Sequence, residues 1–355
     1  MGMVRFDQIA KECRETFKGS FEGKPIVGLE HIKPYDMLLN NFDVDVETTF
    51  TKSFKKGQIL FGRRRAYQHK ACVATCDGIC SGDITVIEPI EGAIYPDLLP
   101  FIIQNDNFFE HAIKGSNGAL SPRVKWEHMA NFEVNLPSID EQKVLAEKLW
   151  AAYVVKQSYL KMIDATDEMV KAQFVEMFRK ETRHCKLGEI VTVKDDCRKP
   201  INDGVRSQMK DGTLYPYYGA TGVVDYINDY LTDECLLCIA EDCGNYKAGE
   251  ESSYIIEGKA WVNNHAHIVK PQDGCDIHYL NNFLRIKDLS SYVSGTTRLK
   301  LTQKKLIDID IILPDIEHQM IFVSIVSKAD NSKAELRKSI DAIDKVIKSL
   351  INEKL

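Results

Sequence analysis

The sequence lacks any segment that would place the protein in or across a membrane. No apolar run approaches the roughly 18 residues of a membrane span, and the first residues, Met1 to Phe6, lack the apolar core of a signal peptide. The 355 residues are 44% hydrophobic and 28% charged, which is ordinary for a soluble globular protein. We therefore expect a cytoplasmic protein with room for two domains, each with its own core.

Catalytic motifs are missing as well. No phosphate-binding loop of the Gly-x-x-x-x-Gly-Lys-Ser/Thr type occurs, because Gly23-Lys24 is followed by Pro25. A His-Glu-x-x-His zinc helix, a Gly-x-Ser-x-Gly nucleophile elbow, a Gly-x-Gly-x-x-Gly cofactor turn and the Asn-Pro-Pro-Tyr/Phe motif of adenine methyltransferases are also absent. These absences argue against an enzyme, and no catalytic residue is assigned.

The ten cysteines form neither a disulfide pattern nor a zinc pattern. Cys72, Cys76 and Cys80 follow each other in steps of four among small and apolar residues, and Cys238 lies in another apolar run. Four zinc ligands would have to converge on one point, and the available His265 is distant along the chain from the first group. We expect reduced, buried thiols that pack as small hydrophobic groups, and no metal site.

The formal net charge of −6 argues against a general nucleic-acid coat, which would normally be basic. A protein that reads a DNA sequence can nevertheless concentrate its positive charge on one face. The net charge therefore leaves sequence-specific binding open.

An internal repeat is the strongest positive feature. Residues 136–142 (Leu-Pro-Ser-Ile-Asp-Glu-Gln) recur as residues 313–319 (Leu-Pro-Asp-Ile-Glu-His-Gln). The repeat indicates a duplicated chain. Further pairs at the same or a similar offset are Gly118 and Gly295, Arg123 and Lys300, and residues 6–9 and 187–190.

The first part of each half mixes short apolar runs with Gly, Pro and Asn, which is typical of strands joined by turns. We expect two similar mixed α/β domains, residues 1–137 and 181–314. Strands are predicted at residues 83–88, 236–240 and 308–313, and helices at residues 95–112 and 277–293.

The second part of each half predicts a long helix, at residues 138–180 and 315–355. Both begin with a helix-start signal, Pro137-Ser138 in the first copy and Pro314-Asp315 in the second. A 4-3 alternation of mainly apolar residues follows, the pattern of a coiled-coil seam. The seam residues are Leu145, Leu149, Ala152, Lys156, Tyr159, Ile163, Thr166, Val170, Gln173 and Met177 in the first helix and Ile325, Ala329, Ser332, Leu336, Ile343, Ile347 and Leu350 in the second.

The length of these helices favours a coiled coil over core helices of one bundle. About 40 residues at 1.5 Å each give roughly 60 Å, which is longer than a compact domain is wide. An antiparallel pair within the molecule is the favoured arrangement, and pairing between chains is the alternative. The expected fold class is thus α+β, with two similar mixed domains separated by two long helices in an antiparallel coiled coil and related by a pseudo-twofold internal repeat.

A basic cluster in the first domain is the leading candidate for DNA contact. Arginines hold phosphates or pair with guanine through two hydrogen bonds. A solvated, charged hairpin edge is the alternative. The candidate residues are Arg63, Arg64, Arg65 and Tyr67.

A polar, glycine-containing loop occurs in both halves. Its residues in the first half are Lys114, Asn117 and Arg123, and in the second half Thr297 and Arg298. The repetition favours a shared role in DNA contact, although a shared turn geometry would leave the same pattern.

The second domain offers further polar segments. Aromatic and hydroxyl groups on a flexible loop can reach a groove or a phosphate, and asparagine is suited to adenine. The alternatives are tyrosines that cap the core and, for the run ending in His265, an internally hydrogen-bonded turn, which we favour for that histidine. The candidates are Tyr217, Tyr218, Thr221, Asn245, Lys247, Asn263 and Asn264.

Taken together, these motifs resemble the specificity (S) subunits of type I restriction–modification systems, over the whole chain. His318 stands where the family has glutamate, and 355 residues is somewhat short for the family. The resemblance rests on Leu136-Pro137-x-Ile139-x-Glu141-Gln142 and its copy at 313–319, on the helix end at 174–178, and on residues 217–222 and 261–266.

The resemblance implies a non-catalytic subunit that binds double-stranded DNA in phage defence. Each domain would be a target-recognition domain for one half of a bipartite, asymmetric site, and the helices would set the unread spacer, with half-sites about one helical turn, roughly 34 Å, apart.

Partners and cofactors follow from the same resemblance. Two methyltransferase (modification) subunits would dock on the helical region, bring S-adenosylmethionine and flip out an adenine. Restriction subunits would add ATP- and magnesium-dependent cleavage, so this chain itself would hold no cofactor. The alternatives are a recognition subunit of a related type II system, a coiled-coil adaptor that does not bind DNA, and a metal-dependent nuclease built on pairs such as Glu241-Asp242.

Overall fold

The structure, a computed structural model, describes residues 2–116, 121–296 and 298–355. The chain forms two compact units: unit 1 comprises residues up to 160 together with 337–355, and unit 2 comprises residues 161–336. Each long helix contributes one part to each unit, which is why the units do not coincide with the four segments predicted from the sequence.

The strands of unit 1 are β1 (Gly2–Arg5), β2 (Ala10–Cys13), β3 (Pro25–Val27), β4 (Asp43–Val44), β5 (Lys52–Phe54), β6 (Ile59–Gly62), β7 (Ala71–Val73), β8 (Gly78–Cys80), β9 (Ile84–Pro89) and β10 (Glu133–Leu136). Its helices are α1 (Leu99–Ile103), α2 (Asp106–Lys114), α3 (Trp126–Met129) and the first part of α4 (Ile139–Phe178).

The strands of unit 2 are β11 (His184–Lys186), β12 (Val191–Val193), β13 (Tyr215–Tyr218), β14 (Val223–Ile227), β15 (Thr232–Asp233), β16 (Leu236–Ala240), β17 (Ser253–Ile256), β18 (Lys259–Val262), β19 (Ala266–Pro271) and β20 (Asp310–Ile312). Its helices are α5 (Leu187–Ile190), α6 (Asp203–Gln208), α7 (Ile277–Ile286), α8 (Gln303–Ile307) and the first part of α9 (Ile316–Lys354).

Both units are built from the same sheets. Unit 1 has the strand orders β2-β9-β6-β7 and β4-β3-β8-β5 and the pair β1-β10. Unit 2 has β12-β19-β16-β17, β14-β13-β18-β15 and β11-β20. The equivalence extends to strand direction. The pairs β3–β8 in unit 1 and β13–β18 in unit 2 are both parallel, whereas the other named strand pairs are antiparallel. The internal repeat predicted from the sequence is confirmed.

Each unit buries its own aromatic core. In unit 1 the ring of Phe108 lies 4.8 Å from that of Phe6 and 5.9 Å from that of Phe61, and all three are fully buried. In unit 2 the rings of Phe174 and Phe322 are 5.4 Å apart. Aromatic side chains bury more area than any other type, so they dominate the stability of both cores.

The long helices pair within each unit. In unit 1, Lys156 of α4 donates to Asp344 of α9 at 2.6 Å, and in unit 2, Lys333 of α9 donates to Asp167 of α4 at 2.6 Å. Within unit 2 the pairing moves from Asp167 with Lys333 to Phe174 with Phe322, so α9 runs backwards along α4, as in an antiparallel pair. The predicted antiparallel coiled coil is confirmed, and Asp344 explains why a lysine is tolerated at a seam position.

The repeated motif at the start of each long helix is a structural joint. In the first copy, Glu141 accepts hydrogen bonds from the backbone N–H of Ser138 at 3.0 Å and from its hydroxyl at 2.7 Å, which is the predicted helix-start signal. Buried Gln142 donates to the carbonyl of Pro137 at 2.9 Å and accepts from the N–H of Tyr95 at 2.9 Å.

Gln319 makes the same joint in the second copy. It is fully buried, donates to the carbonyls of Pro314 at 2.7 Å and Gly274 at 2.9 Å, and accepts from the N–H of Asp276 at 2.9 Å. Both glutamines thus pair backbone groups that would be costly to bury alone, and they fasten the long helix to the globular part of its own unit.

Two predicted helices are shorter than expected. The segment 95–112 is divided into α1 and α2 because Asn105 adopts an extended backbone and caps the second helix, its Oδ1 accepting from the N–H of Asn107 at 2.9 Å. The segment 277–293 ends its helix at Ile286. No helix in the described part of the chain is both long and apolar enough to cross a membrane.

The cysteine prediction is right for four residues and wrong for one. Cys72, Cys80, Cys238 and Cys275 are buried free thiols within the cores, and burial raises the pKa of Cys80 to about 12. Cys235 is exposed instead.

Candidate nucleic-acid interface

The arginine cluster of unit 1 lies where strand β6 leaves its sheet. The N–H of Arg63 donates to the carbonyl of Asp83 at 2.9 Å, and the carbonyl of Arg63 accepts from the N–H of Val124 at 2.9 Å. The N–H of Arg65 donates to the carbonyl of Pro122 at 2.9 Å. These bonds join the end of β6, the start of β9 and the loop before α3, so the cluster has a firmly held backbone.

Asp83 orients two of the guanidinium groups. Its carboxylate accepts from Arg123 Nε at 2.7 Å and from Arg64 Nη1 at 3.4 Å, and it is only 20% exposed. Arg64 also donates to the hydroxyl of Ser121 at 3.0 Å. The hydrogen bond from Arg123 holds the pKa of Asp83 below its ordinary value, against the opposing effect of burial. The carboxylate therefore stays charged and fixes both arginines.

The short turn after the cluster is strained. Arg65 and His69 have positive φ angles of 55° and 52°, a conformation that costs free energy for residues with side chains. The ring of His69 lies 4.4 Å from that of Phe109, which anchors the end of the turn. Arg65 and Tyr67 between these anchors are exposed.

Unit 2 uses the same backbone scaffold with other side chains. The N–H of Glu241 donates to the carbonyl of His265 at 2.8 Å, and the carbonyl of Glu241 accepts from the N–H of Leu301 at 2.7 Å. These are the two bonds that hold Arg63 in unit 1. Glu241 and Asp242 thus occupy the positions of Arg63 and Arg64, and His265 occupies that of Asp83.

Glu241 is enclosed by cations. It is 13% exposed, contacts Arg198 and accepts from Lys300 at 2.8 Å. Burial acts to raise the pKa of Glu241, but the hydrogen bonds from Lys300 and Arg198 outweigh it and keep the pKa below its ordinary value. An acid at this position is therefore matched by neighbouring charges within the unit.

Asp242 is held in a similar way. Its carboxylate lies 2.9 Å from Nδ1 of His265 and also contacts Arg298. Behind it, His267 is buried, with Nδ1 2.7 Å from Asp195 and Nε2 2.8 Å from the carbonyl of Leu301. We call this site the tip of unit 2, and the arginine cluster with Asp83 and Arg123 the tip of unit 1. Acids surrounded by cations occur in both tips, but unit 2 has acids where unit 1 has Arg63 and Arg64.

The predicted residues of unit 1 are largely brought together. Arg63, Arg64, Arg65 and Arg123 converge, with Tyr67 on the adjoining turn. Lys114 is exposed at the end of α2, and Asn117 lies outside the described residues.

Two predicted contacts of unit 2 are wrong. Tyr217 is 1% exposed and packs in the core, with its hydroxyl accepting from the N–H of Ile201 at 3.2 Å. Asn263 is 8% exposed, and its side chain accepts from the N–H of His265 at 2.8 Å, which is the internally bonded turn that we favoured for the histidine. Both side chains are used inside the protein.

The remaining predicted residues of unit 2 are spread over its surface. Tyr218 is half-buried and stacks on Tyr254 at 5.4 Å, and Asn245 donates to Glu250 at 2.6 Å. Thr297 lies outside the described residues. Side chains that are exposed are those of Thr221, Lys247, Asn264 and Arg298.

The shared loop in unit 2 has a turn of its own. Ser294 and Lys300 exchange two backbone hydrogen bonds of 3.0 Å and 2.8 Å. Gly295 has a φ of 102°, and a Cβ there would lie 2.3 Å from the carbonyl oxygen of Arg298. Turn geometry therefore accounts for this glycine.

Sequence reasoning missed the acids that organise both tips. Asp83 and Asp242 belong to no motif. The one available signal was that Asp83 stands at the start of a predicted strand, while Asp242 was considered only for a nuclease pair. The suggested nuclease pair Glu241-Asp242 is engaged by cations, and no group of three His, Cys, Asp or Glu side chains placed to hold a metal occurs in the described ranges.

The fold and the two tips show a duplicated scaffold with different side chains, and comparison with known proteins gives what it resembles. Residues 180–344 match the family model described as the type I restriction modification DNA specificity domain. The match covers less than half of the chain, and over these residues the chain is similar to that family, as the sequence motifs indicated.

Curated relatives agree. The chain is 31% identical over 140 residues to a putative type I restriction enzyme specificity subunit of Haemophilus influenzae, covering 39% of this chain and 35% of that protein. It is 24% identical over 169 residues to the type I restriction enzyme EcoprrI specificity subunit of Escherichia coli, covering 47% of this chain and 39% of that protein. The aligned part thus spans well under half of either relative.

Solved structures share the fold over nearly the whole chain. A chain from a type I restriction–modification system is 15% identical, with a TM-score of 0.58 and coverage of 99% of this chain and 97% of that one. The S subunit of the type I system from M. genitalium is 13% identical, with a TM-score of 0.59 and coverage of 99% and 94%. At these identities the likeness supports the fold alone.

Proposed function

We propose that this protein is the DNA-recognition subunit of a type I restriction–modification system. Each unit reads one half of a bipartite, asymmetric site in double-stranded DNA, and the chain directs modification and restriction subunits to that site without cutting or methylating DNA itself. S-adenosylmethionine, ATP and magnesium bind to the partner subunits, and the complex acts in the cytoplasm, where the DNA lies.

One observation carries this proposal. Two units with the same sheets hold equivalent tips with the same backbone bonds, yet the tips carry different charged side chains. A duplicated scaffold with divergent tips fits two different half-sites, because base contacts specify a sequence while the supporting framework only positions them.

The decisive experiment compares the methylated sites of the host genome with and without this gene. We expect one bipartite motif to lose its adenine methylation when the gene is deleted and to regain it on complementation. Unchanged methylation in the deletion strain would contradict the proposal. A bipartite motif that is methylated and cut by a single type II enzyme would instead support the related type II subunit.

The starts of the long helices are candidate docking surfaces for the two modification subunits. Ile139 in unit 1 and Ile316 in unit 2 are equivalent and each 45% exposed, and the equivalent Val144 and Ile321 are 50% and 53% exposed. In unit 1, Val144 borders a cleft of about 340 Å³ with Leu350. Single exposed apolar residues are ordinary, but the same pair in both copies fits two copies of one partner.

Charged substitutions test this surface. Val144→Glu and Ile321→Glu should each reduce copurification of the modification subunit, and the double variant should abolish it. Val154→Glu is the matched control, because Val154 is 59% exposed on the same helix and has Asn331 as its counterpart in the repeat. Equal losses in the control would count against the assignment.

The spacer role of the helices stays a prediction with its own test. Seven residues inserted after Leu160 and after Leu336 would fall at the boundaries of the units and keep the heptad pattern. About 10 Å of added helix should lengthen the spacer of the methylated motif by about three base pairs. Altered half-sites with an unchanged spacer would refute the spacer role.

A further inference from the structure

An open cleft of about 790 Å³ lies beside the arginine cluster of unit 1. Arg63 borders it, together with the hydroxyl groups of Thr16, Thr49, Thr51 and Ser81. Its lining carries as many carboxylates as cations. The cleft is therefore polar and close to neutral, and it opens at the end of strand β6.

Most charges around the cleft are matched within the protein. Within 3.5 Å, Glu12 pairs with Arg14, Glu15 with Lys55, and Asp83 with Arg123 and Arg64. Lys52 donates to the carbonyl of Ile84.

Arg63 is the exception. Its Nε is buried without a hydrogen-bond partner, and its guanidinium has no acceptor among the residues that the structure describes. An unpaired polar group of this kind costs free energy unless a ligand supplies the acceptor. Two backbone hydrogen bonds of 2.9 Å fix the main chain of Arg63, so the side chain that borders the cleft starts from a rigid support.

The charge of the cleft decides what that acceptor is. The carboxylates and cations of the lining cancel, so the cleft offers a phosphate little net attraction beyond Arg63 itself. The O6 and N7 atoms of guanine are neutral acceptors placed for the two donors of an arginine fork. We propose that Arg63 is a specificity-determining residue that reads one guanine of the first half-site.

The assignment belongs to unit 1 alone. The equivalent Glu241 of unit 2 has no donor to offer guanine and is enclosed by Arg198 and Lys300. This inference rests on the proposed function, and it adds which half-site contains the guanine and which side chain reads it.

The test selects bound sequences from a randomised pool of duplex DNA, using full-length protein purified from its host with its bound subunits. We expect Arg63→Lys and Arg63→Ala to lose preference for guanine at one position of the first half-site by about 5- to 150-fold, with the second half-site unchanged. Lys24→Ala, at an exposed cation of unit 1 that does not line the cleft, should select the wild-type motif.

The outcomes are distinguishable. An Arg63→Lys variant that keeps the full guanine preference overturns the inference, because lysine lacks the fork but keeps the charge. Uniform weakening across all sequences, with a salt dependence reduced by about one ion, also overturns it by showing a phosphate contact. A wild-type protein that selects no motif overturns the proposed function as well. Arg63→Lys serves as the folded variant should Arg63→Ala fail to fold.

Discussion

In unit 1, Arg63 and Arg64 directly follow strand β6, whereas in unit 2, Glu241 and Asp242 directly follow the equivalent strand β16. The residue before the neighbouring strand changes in the opposite sense, from Asp83 to His265. The backbone bonds at the two tips are nevertheless the same. The scaffold tolerates either charge pattern as long as each carboxylate is paired, so the tips can diverge without disturbing the sheets.

The joints between helix and unit show the opposite behaviour. Gln142 and Gln319 make closely similar bonds in both copies, although the residues around them differ. A buried amide that pairs a donor and an acceptor of the backbone has few substitutes. The need for this buried amide therefore explains why the joint is the same in the two copies, whereas the side chains of the tips differ.

The largest expected effect comes from a substitution that tests whether the two units unfold independently. Phe322→Ala should destabilise unit 2 by about 3–5 kcal/mol, because it removes a fully buried ring. Hydrogen exchange should then accelerate in β16 and stay unchanged in β6. Val175→Ala, at an exposed position of unit 2, should change neither. Equal acceleration in both strands would show one cooperative unit and break the comparison.

The joints come next. Gln142→Leu and Gln319→Leu should each cost about 1–3 kcal/mol, since leucine leaves buried backbone groups unpaired. The effect of Gln319→Leu should be the greater, because its amide makes one more backbone bond. Denaturant midpoints measure both, with exposed Gln303→Leu as the control. A neutral effect at both positions would show that the motif is not a structural joint.

Substituting the acid at each tip should affect discrimination at one half-site only. Asp83→Asn loosens Arg64 and Arg123 and should lower discrimination at the first half-site by about 1 kcal/mol, while Asp242→Asn should do so at the second. Binding to duplexes altered in one half-site measures the difference, and each variant is the control for the other. Loss at both half-sites from one substitution would refute the separation.

The smallest effect is acid sensitivity. Hydrogen bonds from Lys11 and Gln58 lower the pKa of Glu88 from its ordinary 4.5 to about 2. A lowered folded-state pKa stabilises the protein above the ordinary value, and this contribution disappears as the pH falls from 4.5 towards 2. In the Glu88→Gln variant, the free energy of unfolding of unit 1 should therefore depend less on pH in that range. Hydrogen exchange of β9 against β19 measures it, and equal flattening in unit 2 would contradict a local effect.

Much of the architecture was predictable because it depends on periodicity. The 4-3 alternation predicted the paired helices, and the repeat predicted equivalent units. Segment 95–112 was misjudged because the single side chain of Asn105 interrupts an otherwise apolar helical pattern. Tyr217 and Asn263 were misassigned because a residue type suited to DNA contact is equally suited to a buried hydrogen bond, and burial is decided by distant strands.

The linear order of residues by itself determined the duplication, the two long helices and the resemblance to specificity subunits, because these follow from local spacing repeated along one chain. Only the tertiary structure decided which charges meet. Asp83 and Arg123 stand 40 positions apart in the chain, Asp242 and His265 stand 23 apart, and no local pattern records which strands become neighbours. Pairing of such distant charges depends on the fold of the sheets, and so does the availability of Arg63 for a base.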